Sequence, residues 1–208
     1  LPLVILPYLS DPKTIAREIE RAVMNGHCGV NVSGKMPKGL PHLAAPHWYP
    51  LWDACQQLNV PIHFHGSAGL SAGASAKKWS GYTTRQAHSA STSTSSVTPA
   101  QIIPQLIFSG VLEQFPRLKC VFAEAGIGGL NYVLAACDHE WECRHLWTEG
   151  ITTRPSETVR RQMYVNFWFE AEGIKLRHEI GIDNIMWEAD FPHVASYYPR
   201  SWESIERV

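Results

Sequence analysis

Short apolar runs alternate along this chain with longer stretches in which apolar positions recur at helical spacing. Leu3 to Leu6, Cys28 to Val32, Val60 to His65, Lys119 to Glu124, Tyr164 to Phe169 and Asn184 to Ala189 read as strands. The first two are apolar and rich in β-branched residues, as expected of strands covered on both faces. Between them, Asp11-Pro12 supplies an N-cap and a first-turn proline, Ile15, Ile19 and Val23 form a stripe, and Gly26 stops the helix. Further helices are predicted near Pro50 to Leu58, Pro99 to Leu112 and Gly129 to Trp141, the last with Leu130, Val133, Leu134 and Cys137 as its apolar stripe. Two more are predicted, one starting near Pro155-Ser156 and one running through Ile174 and Leu176. Strand and helix in strict alternation predict an α/β fold with a parallel sheet, most of a (β/α)8 TIM barrel.

One stretch breaks the rhythm. Gly66 to Val97 is rich in Gly, Ala, Ser and Thr and includes the run from Ser89 to Ser96, a composition that builds little core. It follows a strand's C-terminal end, so it reads either as an active-site lid or as a disordered insertion.

Composition narrows the function. No shift in composition marks a linker, so residues 1–208 are expected to form a single domain. The 18 basic and 19 acidic side chains give a net charge of −1 without a basic tract or acidic tail, which points away from nucleic acid and membrane surfaces and towards a small-molecule substrate; a homo-oligomer is compatible with it. The apolar opening Leu1 to Pro7 is short, proline-interrupted and without basic residues, so a soluble, cytoplasmic protein is expected. Cys28, Cys55, Cys120, Cys137 and Cys143 lack C-x-x-C spacing and are expected to be reduced and buried. The chain has no initiator methionine and opens on a strand running into a helix, the look of a fragment.

The candidate chemistry sits where strands end. Val60 to Gly66 closes on His65, Lys119 to Gly126 on Glu124, and Asn184 to Asp190 on aspartate. In a parallel barrel these ends open on one face, so polar groups far apart in sequence converge there. An imidazole and a carboxylate are ligands for zinc, manganese or a related divalent ion, whose chemistry is hydrolytic or Lewis-acidic. Each residue taken singly also has a plain reading: a hydrogen-bonded histidine, a salt bridge or turn cap for Glu124, a turn start for Asp190. His63 shares a strand face with His65 and reads as a supporting or core residue. Glu188 shares a face with Asp190, either as a partner for a ligand or as a layer-filling residue tied to a lysine or arginine. Gly126-Ile127-Gly128-Gly129 reads as a tight strand-to-helix turn, because no phosphate-binding lysine accompanies it. Tyr164, Phe167, Trp168, Phe169 and Trp187 read as barrel-layer packing before an aromatic substrate wall.

His65-Gly66, Phe115 to Lys119, Glu124 to Gly129, Arg154 to Glu157 and Glu188 to His193 follow one another as in the amidohydrolase-related family that contains aminocarboxymuconate-semialdehyde decarboxylase and aromatic-acid decarboxylases, which the chain resembles over nearly its whole length. The resemblance implies an incomplete (β/α)8 barrel, lacking elements at its N-terminus and its C-terminus. By position it assigns His65 and Asp190 as ligands of one divalent metal, zinc first and manganese second, and sets His193 at the rim of the site. It also implies a first-strand His-x-His or Glu-x-His pair, which nothing before residue 60 supplies. Glu124 stands where the decarboxylases carry a histidine, and glutamate can move protons there as acid or base. The expectation is a metal-dependent hydrolase, with a metal-dependent decarboxylase next. A degenerate ligand-binding barrel is the reading outside catalysis.

Overall fold

The computed structural model describes residues 1–6, 11–32, 36, 38–65, 80–93, 97–194 and 196–208. Six strands, β1 (Leu3–Ile5), β2 (Gly29–Val32), β3 (Ile62–His65), β4 (Cys120–Ala123), β5 (Met163–Phe167) and β6 (Ile185–Trp187), form one sheet in chain order, every neighbouring pair parallel. A doubly wound sheet reverses its strand order at the middle. Here the order never reverses, which is the arrangement of a barrel wall.

The registered residues Val30, Ile62, Cys120 and Met163 sit on one face of the sheet, as do Val32, Phe64, Phe122 and Val165, and all are buried. This face packs on the helices. Phe64 and Phe122 stack with ring centroids 5.1 Å apart at its centre. The other face carries Leu3, Ile5, Asn31, His63, His65, Tyr164, Asn166 and Met186, most of them partly or fully exposed. Burial on both faces, expected of the first two strands from their composition, is therefore corrected for β1, where Ile5 is 79 % exposed because the helices cover only the Val4 side; in β2 only Asn31 is less than buried.

The helices follow the sequence closely where caps are strong. In α1 (Pro12–Met24) the Asp11 carboxylate accepts from the Lys13 N–H at 3.1 Å and buries Ile15, Ile19 and Ala22 against α2 (Tyr49–Gln57). Residues 66–79 and 94–96 of the small-residue stretch, with the Gly66 of one motif, lie outside the described residues. Part of the remainder is α3 (Thr84–Thr92), with Ala87 buried, so this portion is helix and not a disordered insertion. The helix expected over Pro99 to Leu112 is divided into α4 (Val97–Phe108) and α5 (Val111–Gln114) by Gly110 at φ 77°. After α6 (Leu130–Cys143) and α7 (Pro155–Gln162), two single turns, α8 (Ala171–Ile174) and α9 (Arg177–Ile180), replace the one helix expected there, and α10 (Ser201–Ile205) closes the described chain. Among the cysteines, all free, Cys55, Cys120 and Cys137 are buried as expected but Cys143 is exposed at the end of α6. No helix among the described residues is long and apolar enough to cross a membrane.

Asp138 of α6 caps α7 from outside. Its carboxylate accepts the Ser156 N–H at 2.9 Å, the Ser156 hydroxyl at 2.8 Å and Arg154 Nε at 2.7 Å. Burial raises its pKa, but these three donors outweigh burial and hold the carboxyl below its usual range. A depressed folded pKa adds stability above the ordinary carboxylate range, lost as pH falls through the folded value. Asp138→Ala should therefore lower stability by about 1–2 kcal/mol at neutral pH, and by less in acid, in paired thermal denaturation series.

Candidate active site

Three of the sheet's C-terminal ends converge on one cluster. His65 is the last residue of β3, Glu124 follows β4 directly, and Asp190 follows β6 by three residues. His65 Nε2 lies 3.2 Å from Glu124 Oε1. Glu124 also lies beside Asp190, close enough for the charge of one to act on the other, and Asp190 Oδ2 lies 2.9 Å from His193 Nδ1. Glu188 Oε1 accepts the Glu124 N–H at 2.9 Å and its Oε2 accepts Asn166 Nδ2 at 3.0 Å. The structure thus brings His65, Glu124, Glu188, Asp190 and His193 together. His63 sits two residues below His65 on the same face, its ring against Gly29, where a Cβ would lie 2.9 Å from Nε2.

Glu124 and Asp190 both adopt left-handed backbone, at φ 50° and 55°, a conformation that costs a non-glycine residue about 1–3 kcal/mol. From sequence the first strand is expected to run through Glu124 and the second to Ala189, yet they end earlier, at Ala123 and Trp187. The site residues stand in the first turn beyond the sheet.

Electrostatics follow from crowding of like charge. Hydrogen bonding to His65 holds the Glu124 carboxyl below its usual range, and the same bond raises the His65 pKa. Burial, then the charge of Glu124, pushes Asp190 up; burial likewise raises Glu188 and lowers His63. The lysine or arginine partner considered for Glu188 is corrected: Asn166 and a backbone N–H take that place.

Three carboxylates around two histidines carry an excess of negative charge, and imidazole with carboxylate is a donor set for divalent first-row ions. In kind, the residues fit such a cation. Among the described residues, however, no three His, Cys, Asp or Glu side chains are arranged to hold a metal ion by themselves.

The aromatic residues divide. Phe167 is buried on the helix side, as expected of layer packing, whereas Phe169 is 55 % exposed beyond the end of β5. Trp168 and Phe169 pack edge-on at 4.8 Å, and Phe191 packs on Tyr198 at 4.7 Å immediately after Asp190. Sequence reasoning missed Asn166 and Glu170. Glu170 lies just past a strand end like His65, Glu124 and Asp190, and the strand-end rule applied once more would have found it.

A family model described as Amidohydrolase matches residues 1–207. Gamma-resorcylate decarboxylase of Polaromonas sp. strain JS666 is 26% identical over 211 residues, which cover 93% of this chain and 60% of that protein. Among solved structures, an amidohydrolase from Mycobacterium avium subsp. paratuberculosis K-10 matches with a TM-score of 0.77 at 21% identity, over 99% of this chain and 52% of that one. A dihydroxybenzoic acid decarboxylase from Polaromonas sp. JS666, solved with manganese and the inhibitor 2-nitroresorcinol, matches with a TM-score of 0.68 at 22% identity, over 95% of this chain and 60% of that one. The chain spans about 60% of the length of the curated relative it matches.

Proposed function

The chain belongs to the amidohydrolase family, and from that premise we propose that residues 1–208 form one catalytic unit of a metal-dependent enzyme that decarboxylates a small aromatic acid. The observation that carries this reading is the pair of aromatic edges, Trp168 with Phe169 and Phe191 with Tyr198, standing at the strand end that holds the carboxylate cluster. The resemblance to gamma-resorcylate decarboxylase supports it and reverses the order of hydrolase and decarboxylase expected from sequence.

His65 and Asp190 would hold one divalent ion together with donors outside the described set. Manganese, the ion bound in the dihydroxybenzoic acid decarboxylase, is preferred to zinc. When bound, such an ion supplies Lewis-acid polarisation of a substrate oxygen. Glu124, 3.2 Å from His65 and beside Asp190, would relay the proton delivered to the carbon that loses carbon dioxide. Glu188 would keep Glu124 in place through its N–H, and His193 would orient Asp190 at the rim. His63 would support the wall beneath His65. Free cysteines suit a reducing, cytoplasmic setting.

A second reading, hydrolysis, is favoured by the hydrogen bond from His65 that holds Glu124 as a carboxylate, the form that takes a proton from attacking water. The full-length, manganese-loaded protein assayed on aromatic acids, esters, lactones and amides separates the two. Carbon dioxide release from a hydroxylated benzoate is expected, and hydrolysis without it overturns the first reading. In either case Glu124→Gln should lower kcat by about 10²–10⁴-fold while stoichiometric metal is retained.

A further inference from the structure

Glu170 takes no part in the chemistry described above, yet its carboxylate gathers three backbone N–H groups. Oε1 accepts from Ile127 at 3.1 Å, while Oε2 accepts from Trp168 at 3.1 Å and Phe169 at 3.3 Å. Trp168 and Phe169 belong to its own turn after β5. Ile127 lies in the glycine turn after β4, on the far side of α6 and α7 in sequence. One side chain therefore ties together two loops at the mouth of the sheet.

The glycine turn is held at two further points. Gly126 N–H donates to the Asn166 carbonyl at 3.1 Å, and Glu124 N–H donates to Glu188 Oε1 at 2.9 Å. The N–H groups of residues 124, 126 and 127 thus all donate to acceptors carried by the β5 and β6 segments. Glu124 at φ 50° and Gly126 at φ 64° stand in left-handed backbone, and a non-glycine residue stays there only when its surroundings over-determine it. Contact from a second side reinforces the hold. A Cβ on Gly173 of α8 would lie 2.4 Å from Ile127 Cγ1 and 3.1 Å from the Gly128 nitrogen, so the α8 backbone rests directly on the turn.

We infer that Glu170 is a positioning residue whose carboxylate clamps the glycine turn after β4 to the loop after β5 and so keeps Glu124 where it meets both His65 and Asp190. The catalytic part of this inference rests on the function proposed above; the clamp itself does not. Ionised carboxylate is an acceptor at both oxygens, which is what N–H donors on both sides require. A glutamine in its place sets an NH2 group against an N–H donor in either orientation, and an aspartate is a methylene too short to reach both loops.

The test is Glu170→Gln in the full-length, metal-loaded protein, read by local hydrogen–deuterium exchange and by steady-state kinetics. Exchange over residues 124–129 is expected to rise about tenfold or more, the change in opening that loss of a charge-assisted hydrogen bond implies. With metal content unchanged, kcat should fall about 10- to 100-fold while KM hardly moves, the split expected of a group acting through Glu124. Unchanged exchange over 124–129, or faster exchange there with undiminished kcat, overturns the inference. A wild-type protein that turns over none of the aromatic acids overturns the proposed function instead, and the exchange result alone then decides the clamp. If Glu170→Gln does not fold, Glu170→Asp, which keeps the charge but is a methylene too short to reach both loops, is judged by the same two outcomes.

Discussion

Asp190→Ala in the full-length protein is expected to remove bound metal and reduce turnover by more than about 100-fold, since even residues that merely orient metal ligands cost 10- to 100-fold when lost. The carboxylate it removes lies beside Glu124 and sits 2.9 Å from His193, so the change also alters one side of the proposed acid/base. His65→Ala should do the same from the other side, because His65 is the group 3.2 Å from Glu124 Oε1. Metal stoichiometry by elemental analysis, with circular dichroism to confirm the fold, checks both. The left-handed backbone of Asp190 makes the outcome diagnostic. Alanine there keeps the backbone strain and loses the ligand, whereas Asp190→Gly should lose metal yet gain stability by relieving the strain. Metal retained at full stoichiometry in both Asp190→Ala and His65→Ala would sink the assignment of the ligands.

The second large effect belongs to the core. Phe122 is fully buried, stacked on Phe64 at an interplanar angle of 17°, and registered between Phe64 of β3 and Val165 of β5. Phe122→Ala is expected to cost about 3–5 kcal/mol, a large share of the total stability of an ordinary domain. The loss should appear as a lowered denaturation midpoint with little change in the slope against denaturant. Phe122→Leu, which keeps most of the volume, should cost clearly less. A loss in Phe122→Ala no greater than that of an exposed substitution such as Tyr132→Ala would contradict the placement of the core.

All six strands and the long helices were legible because their signals are local. Asp11, Pro12 and Gly26 bracket α1 in sequence just as they do in structure, and strand burial alternates with a period of two from Ile62 to Phe64 and from Met163 to Phe167. His65, Glu124 and Asp190 were legible for the same reason, as polar residues that break apolar runs. What local signals missed were contacts set by sequence-distant partners. Nothing near Glu188 in sequence announces that its oxygens meet Asn166 and the Glu124 N–H, and nothing near Glu170 announces Ile127. The exposure of Phe169 was equally hidden, since an aromatic residue at the end of an apolar run looks the same whether its ring packs inward or stands at the rim.

Sequence alone determined the alternation of elements, the parallel sheet and the identity of the polar groups at its C-terminal edge, because hydrophobic periodicity, caps and strand ends are written in neighbouring residues. Tertiary structure decided which face of the sheet the helices cover, where each strand stops, and how the carboxylates pair. Those outcomes depend on backbone turns such as Glu124 and Asp190 in left-handed conformation, which are held by acceptors contributed from other strands. A local pattern carries no record of a partner that only folding brings within 3 Å.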